Sequence, residues 1–182
     1  MVRRSQMKEV EVKITEIDRE TVETKLRSLG ATKIFEGDEE TVFFDFPGNT
    51  IASAKNLLRL RKIGDKTVLT FKKFVEDGKA KVRDEYEVSV SGFEPMLLIL
   101  ESLGLSPTRR MEKHRTSYVL KSGVRVDLDK YTGDFAHIPY LMEIEGKDID
   151  TIRSHAKVLG FHPEDCKSWT TFDLIDHYAG RR

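Results

Sequence analysis

The chain has 182 residues, 31 of them Lys or Arg and 31 Asp or Glu. That length suits one substantial domain, and the balanced charge argues against attraction to duplex nucleic acid or anionic membrane by bulk charge, which needs a basic excess. The charged fraction of 34% exceeds the ~25% of ordinary proteins, so any anion site has to be local. A single cysteine, Cys166, cannot form an internal disulfide, and no leader-like or membrane-length apolar run is present; a reducing, cytoplasmic location is expected. The five histidines are scattered without zinc spacing, and no phosphate-loop, dinucleotide or hydrolase-elbow motif occurs.

In chain order, "KEVEVKI" predicts a strand from Glu9 to Ile14, with Glu9, Glu11 and Lys13 on one face and Val10, Val12 and Ile14 on the other. "DRETVETKLRSLGA" predicts a helix with Asp18 as N-cap, Val22, Leu26 and Leu29 on its apolar side, and Gly30 as the stop. Strands follow at Glu40 to Asp45, Asn56 to Lys62, Thr67 to Lys73 and Asp84 to Ser91, with "IGDK" and "EDGK" as hairpin turns. "FEPMLLILESLGL" repeats the helix pattern, Pro95 falling in the first turn and Gly104 at the end. Strands at Lys113 to Leu120, Val124 to Asp129 and Leu141 to Glu145 come next. A helix in "DIDTIRSHAKVLGF" closes on Gly160, and "SWTTFDLIDHYAG" forms a last one.

Nearly every strand repeats the opening pattern. Arg59 and Arg61 share a face, as do Thr70 and Lys72; Arg83, Glu85 and Glu87; Lys113 and Arg115; Arg125, Asp127 and Asp129; and Glu143 and Glu145. Their neighbours are aliphatic or aromatic. A solvated sheet face would dilute such charges with Thr, Ser, Gln and Asn. We therefore expect an α+β fold in which eight antiparallel strands close into a β-barrel, helices packed outside and charges within. Unpaired charges inside would be costly, so the signs must pair or be neutralised by a ligand and cations. Glu9, Glu11, Asp127, Asp129, Glu143 and Glu145 come from the first strand and the last two, expected as neighbours, and are oxygen donors suited to Mg²⁺ or Mn²⁺. Lys13, Arg59, Arg61, Lys72, Arg83, Lys113, Arg115 and Arg125 favour a polyanion, with Arg forks suited to phosphate oxygens.

In order along the chain, E-x-E-x-K at Glu9, Glu11 and Lys13, then "FFDFP", "LRLRK", "LTFKK", "RDEYEV", "EKHRTSY", "VRVDLD" and "MEIEG", resembles the CYTH family of triphosphate tunnel metalloenzymes. The resemblance runs from about Lys8 to "KSWTTFDLI" and implies one CYTH-like domain over residues 1–182. The family includes class IV adenylyl cyclases, thiamine triphosphatases and inorganic triphosphatases, with an eight-stranded antiparallel closed tunnel. The resemblance implies metal ligation by Glu9, Glu11, Asp127, Glu143 and Glu145, and triphosphate contacts from Lys13, Arg59, Arg61, Lys72, Lys113 and Arg115. It gives Glu85 or Glu87 a role as metal or water partner, and matches Lys167 to a lysine that closes on phosphate. A surface role for Lys167 is an equal alternative.

One segment departs from the family pattern. "DKYTGDFAHIPYLMEIE" is longer than the usual connection and lacks its leucine, which leaves Asp127, the favoured metal ligand, in competition with Asp129. The expected activity is metal-dependent turnover of ATP, thiamine triphosphate or inorganic triphosphate, by hydrolysis or by cyclisation of ATP. The alternative is a non-catalytic polyphosphate- or RNA-binding module built on "RLRKIGDKTVLTFKK" with Phe71 interleaved; nucleic acid is disfavoured by the carboxylates on the same faces. A homodimer is expected from the resemblance alone.

Overall fold

The computed structural model describes residues 10–77 and 80–180, with the backbone alone at 75–77 and 80–83. Its strands are β1 (Val10–Thr15), β2 (Thr32–Asp45), β3 (Leu57–Ile63), β4 (Lys66–Asp77), β5 (Ala80–Val90), β6 (Ser106–Val119), β7 (Arg125–Tyr131) and β8 (Leu141–Gly146). The helices are α1 (Arg19–Ser28), α2 (Thr50–Ser53), α3 (Phe93–Ser102), α4 (Ile149–Val158) and α5 (Thr171–Tyr178). One eight-stranded sheet runs in the order β1-β8-β7-β6-β2-β3-β4-β5. The antiparallel strands and outer helices are those expected; among the described residues the ladder is an open series rather than a closed ring.

The chain divides into two compact units, one of residues 39–112 and one of residues 10–38 and 113–180. In the second unit, β1, β8 and β7 turn Val12, Ile14, Ile144, Met142, Val126 and Leu128 to a common side. There they form a core with Val22 and Leu26 of α1 and Ile152, Ala156 and Leu159 around α4. α1 starts as predicted, the Thr21 N–H donating to Asp18 at 2.8 Å. This satisfies one of the orphan donors of a helix N-terminus. α4 ends where Gly160 takes φ +90°, a left-handed conformation that only glycine adopts without strain.

In the first unit, Val42, Phe44 and Leu60 bury against Phe93 and Leu100 of α3. β5 is different. Its Tyr86 and Val88, expected under a helix, are 48% and 54% exposed, because α3 lies against β3. Asp45 ends β2 and accepts from the N–H groups of Phe46, Ile51 and Ala52 at 2.7, 2.9 and 2.9 Å, fixing the short α2. Burial acts to raise its carboxyl, but these backbone donors hold it below the usual aspartate range.

β2 and β6 each run 14 residues, far longer than predicted. Their added portions, Thr32 to Glu39 and Ser106 to Glu112, are mostly exposed and lack the alternation that marks a half-buried strand. Among the described residues, no helix is long and apolar enough to cross a membrane.

Candidate functional site

The register of the second unit builds a charged face row by row, since directly paired residues project on the same side of a sheet. Glu11, Glu145 and Arg125 form one row. Lys13, Glu143, Asp127 and Ser117 form the next, and Asp129 pairs with Arg115, followed by Tyr131 with Lys113. The first strand and the last two are thus neighbours, as expected.

Lys13 has only 2% exposure, and its ammonium lies 3.1 Å from Glu11 and 2.9 Å from Glu143. Its backbone is fixed from the other side. The Lys13 N–H donates to the Lys167 carbonyl at 2.8 Å and the Lys167 N–H to the Lys13 carbonyl at 2.9 Å. With both polar groups of Lys13 turned away from β8, Lys13 and Glu143 form a non-hydrogen-bonded pair, the kind whose side chains approach most closely. Burial alone would lower the Lys13 ammonium, but Glu143 and Glu11 hold it above the ordinary lysine value.

Arg115 is the hub of this face. Its Nε and one terminal nitrogen donate to the two oxygens of Asp129, both at 2.6 Å; that nitrogen also reaches Glu143 at 2.6 Å, and the other lies 2.8 Å from Asp127. Lys113 adds a 2.8 Å bond to Asp129, which is wholly buried. Burial would raise the Glu143 carboxyl; Lys13, Arg115 and Lys113 outweigh it and keep the group well below the glutamate range. Arg125 donates to Asp127 at 2.9 Å. The ladder opens toward solvent at Glu11, 54% exposed, and is sealed at Asp129.

The first unit carries its own charged face. Phe43, Arg59, Thr70 and Glu87 form one row, Thr41, Arg61, Val68 and Ser89 another, and Leu57, Lys72 and Glu85 a third. Here the pairs are looser: Arg59 lies 3.5 Å from Glu85, and Arg61 3.7 Å from Glu39 and 4.0 Å from Glu87. Lys72 sits 3.1 Å from Glu85. The Nε atoms of Arg59 and Arg61 are buried without a hydrogen-bond partner. Burial, then the neighbouring Arg61, lowers the Arg59 guanidinium to about 10.

The structure thus brings Glu11, Lys13, Lys113, Arg115, Arg125, Asp127, Asp129, Glu143 and Glu145 onto one face. It brings Arg59, Arg61, Lys72, Glu85 and Glu87 onto another. Glu9 and the Arg83 side chain lie outside the described residues. Lys167 reaches β1 through its backbone, while its ammonium donates to the Glu164 carbonyl at 2.7 Å. Glu39, 4% exposed beside Arg61, was missed because it precedes the predicted start of its strand. Tyr131 was missed because it lies two residues past the predicted end of β7.

For a divalent cation, the donor chemistry on the β1-β8-β7 face fits: carboxylate oxygens are the ligands hard cations take. Among the described residues, no group of three or more His, Cys, Asp or Glu side chains converges on a common point, since Arg115 and Lys13 lie between the carboxylates.

This architecture defines an antiparallel-sheet protein with helices on the apolar side of the strands and interleaved carboxylates and cations on the other. The chain belongs to the CYTH domain family, whose model matches residues 7–159. It is 28% identical over 153 residues, 84% of each chain, to a Methanocaldococcus jannaschii protein named "Putative adenylate cyclase". It is similar in structure to a Pyrococcus horikoshii protein, with a TM-score of 0.73 and 25% identity over 91% of this chain and 98% of that one. A Hippeastrum protein described as an adenylyl cyclase candidate with a dominant triphosphatase activity shares the fold at a TM-score of 0.68 and 18% identity, over 93% and 95% of the two chains.

Proposed function

We propose that this protein is a divalent-metal-dependent enzyme that binds a triphosphate and cleaves a phosphoanhydride bond, as a triphosphatase or as a cyclase forming cyclic AMP and pyrophosphate from ATP. The observation that carries the reading is the pair of under-neutralised arginines. Arg59 and Arg61 are half-buried side by side, with their Nε–H donors buried and orphaned. A buried cation without full compensation is costly, and a phosphate chain supplies the missing charge and acceptors in the planar fork geometry of guanidinium. Membership in the CYTH family and the cyclase name of the Methanocaldococcus relative support the same class of substrate.

In this reading Arg59, Arg61 and Lys72 of the first unit bind and orient phosphate oxygens. Glu11, Glu143, Glu145 and one of Asp127 and Asp129 are the residues that would hold a metal; the oxygens of both aspartates accept from cations here. A bound divalent cation would neutralise phosphate charge and lower the pKa of a coordinated water. Lys13 keeps Glu143 ionised and ties Glu11 in place at 3.1 Å. Transfer of a phosphoryl group depends mainly on such positioning and charge compensation.

The test is turnover of purified protein with Mg²⁺ and then Mn²⁺ on inorganic triphosphate, ATP and thiamine triphosphate, resolving phosphate, pyrophosphate and cyclic AMP. Cyclic AMP with pyrophosphate establishes the cyclase, and phosphate without a cyclic product the triphosphatase. Glu11→Gln is expected to reduce either activity at least about 100-fold with an unchanged melting temperature, since Glu11 is exposed. Metal-independent binding without product would overturn the reading in favour of a binding module.

A further inference from the structure

The charged face of the first unit owes its looseness to its register. Lys72, Arg59 and Arg61 occupy three successive rows, whereas the carboxylates of β5 occupy only the first two, Glu85 opposite Lys72 and Glu87 opposite Thr70. Lys72 therefore meets its glutamate directly, at 3.1 Å. Each arginine reaches diagonally to the glutamate of the preceding row, Arg59 to Glu85 at 3.5 Å and Arg61 to Glu87 at 4.0 Å. Both distances exceed those of a good charge-assisted hydrogen bond. The Thr70 hydroxyl donates to Glu87 at 3.2 Å. Glu85 and Glu87 are 28% and 49% exposed, and Tyr86 and Val88 on the other face of β5 are exposed as well. The two carboxylates have solvent to swing into. Glu39, 3.7 Å from Arg61, is buried and stays in place.

Resting on the triphosphate reading, we infer that Glu85 and Glu87 are resident competitors of the substrate: they hold Arg59, Arg61 and Lys72 until a chain of phosphates displaces them, and their return helps to expel the phosphate products. Carboxylate and phosphate oxygens are acceptors for the same guanidinium and ammonium donors. Left in place beside a bound phosphate, either glutamate would repel it. A phosphate chain that spans the three rows displaces both at once. The shorter pieces left by cleavage hold fewer of the cations and give them back. The diagonal geometry suits such an exchange, because a partly exposed ion pair at 3.5 or 4.0 Å loses little when it opens. A role as metal or water partner for the same two residues makes the opposite demand, since it needs their charge when substrate and metal are bound.

The experiment is calorimetric titration of the full chain with inorganic tripolyphosphate, and separately with orthophosphate, once in EDTA and once in excess Mg²⁺. Glu85→Gln and Glu87→Gln keep the size of the side chain and remove its charge. Each is expected to bind tripolyphosphate about three- to tenfold more tightly than the wild type under both conditions, and orthophosphate more tightly as well. Glu94→Gln, at an exposed site on α3, removes the same charge elsewhere in the unit and should change neither affinity. Should one of the two β5 variants not fold, the other gives the same readout. Failure of the wild type to bind tripolyphosphate under either condition would overturn the triphosphate reading and this inference together. With wild-type binding intact, three results would overturn the inference alone: unchanged or weaker binding by the β5 variants, tightening confined to EDTA as metal ligands would give, or an equal gain from Glu94→Gln.

Discussion

The β6-β7-β8-β1 face and the β2-β3-β4-β5 face use the same side-chain types in opposite ways. On the first, Lys13, Lys113, Arg115 and Arg125 each meet a carboxylate at 3.1 Å or less. On the second, Arg59 and Arg61 stand 3.5 to 4.0 Å from theirs and keep unpartnered Nε atoms. The former is an internally compensated lattice in which removing a buried member such as Glu143 strands its partners. The latter holds positive charge in reserve. The contrast separates residues that make the face from residues that offer themselves to a ligand, although a sequence shows all of them as charges at alternate positions.

Substitutions on the two faces should therefore fail differently. Glu143→Gln leaves Lys13 and Arg115 short of a counter-charge and is expected to destabilise the fold by about 3 kcal/mol, seen as a lower denaturation midpoint at neutral pH. Because the Glu143 carboxyl is depressed in the folded state, its contribution is complete above the unfolded glutamate value near 4.5. It is lost as pH falls through the depressed folded value. The wild type should thus lose stability on acidification below about pH 4.5, and Glu143→Gln should show a flatter acid limb; parallel limbs would contradict the lattice description.

Arg59→Met should do the reverse. Tripolyphosphate affinity is expected to fall about 10- to 100-fold, the equivalent of one or two charge-assisted hydrogen bonds. The melting temperature should hold or rise, since repulsion from Arg61 is relieved. A loss of stability matching that of Glu143→Gln would erase the distinction between the faces. As a control away from both, Asp18→Ala removes the α1 cap and should cost about 1 kcal/mol with no change in ligand affinity.

The alternation of Glu11 and Lys13, or of Asp127 and Asp129, was enough to read which side of each strand is charged, because the opposite residues are apolar and buried. It could not read which charges are spent. Asp127 and Asp129 are equivalent in the pattern, and the folded register commits each to two cations, Asp127 to Arg115 and Arg125 and Asp129 to Arg115 and Lys113. The early parts of β2 and β6 were invisible for another reason: their largely exposed residues carry no apolar period. Tyr131 looked like a residue beyond the end of a strand, since nothing local announces that Lys113, 18 positions earlier in the chain, lies across from it. Long-range pairing is what local patterns do not encode.

The backbone bridge between Lys13 and Lys167 also bears on where this domain ends. The family match stops at residue 159, yet both main-chain groups of Lys13 are satisfied by a residue eight positions later. A chain cut at the end of the match would leave that N–H and that carbonyl without their partners. It would also expose the outer side of β1 as an unprotected strand edge, a ready template for unwanted association. The boundary set by similarity and the boundary set by hydrogen bonding therefore differ, and a shortened version should follow the second.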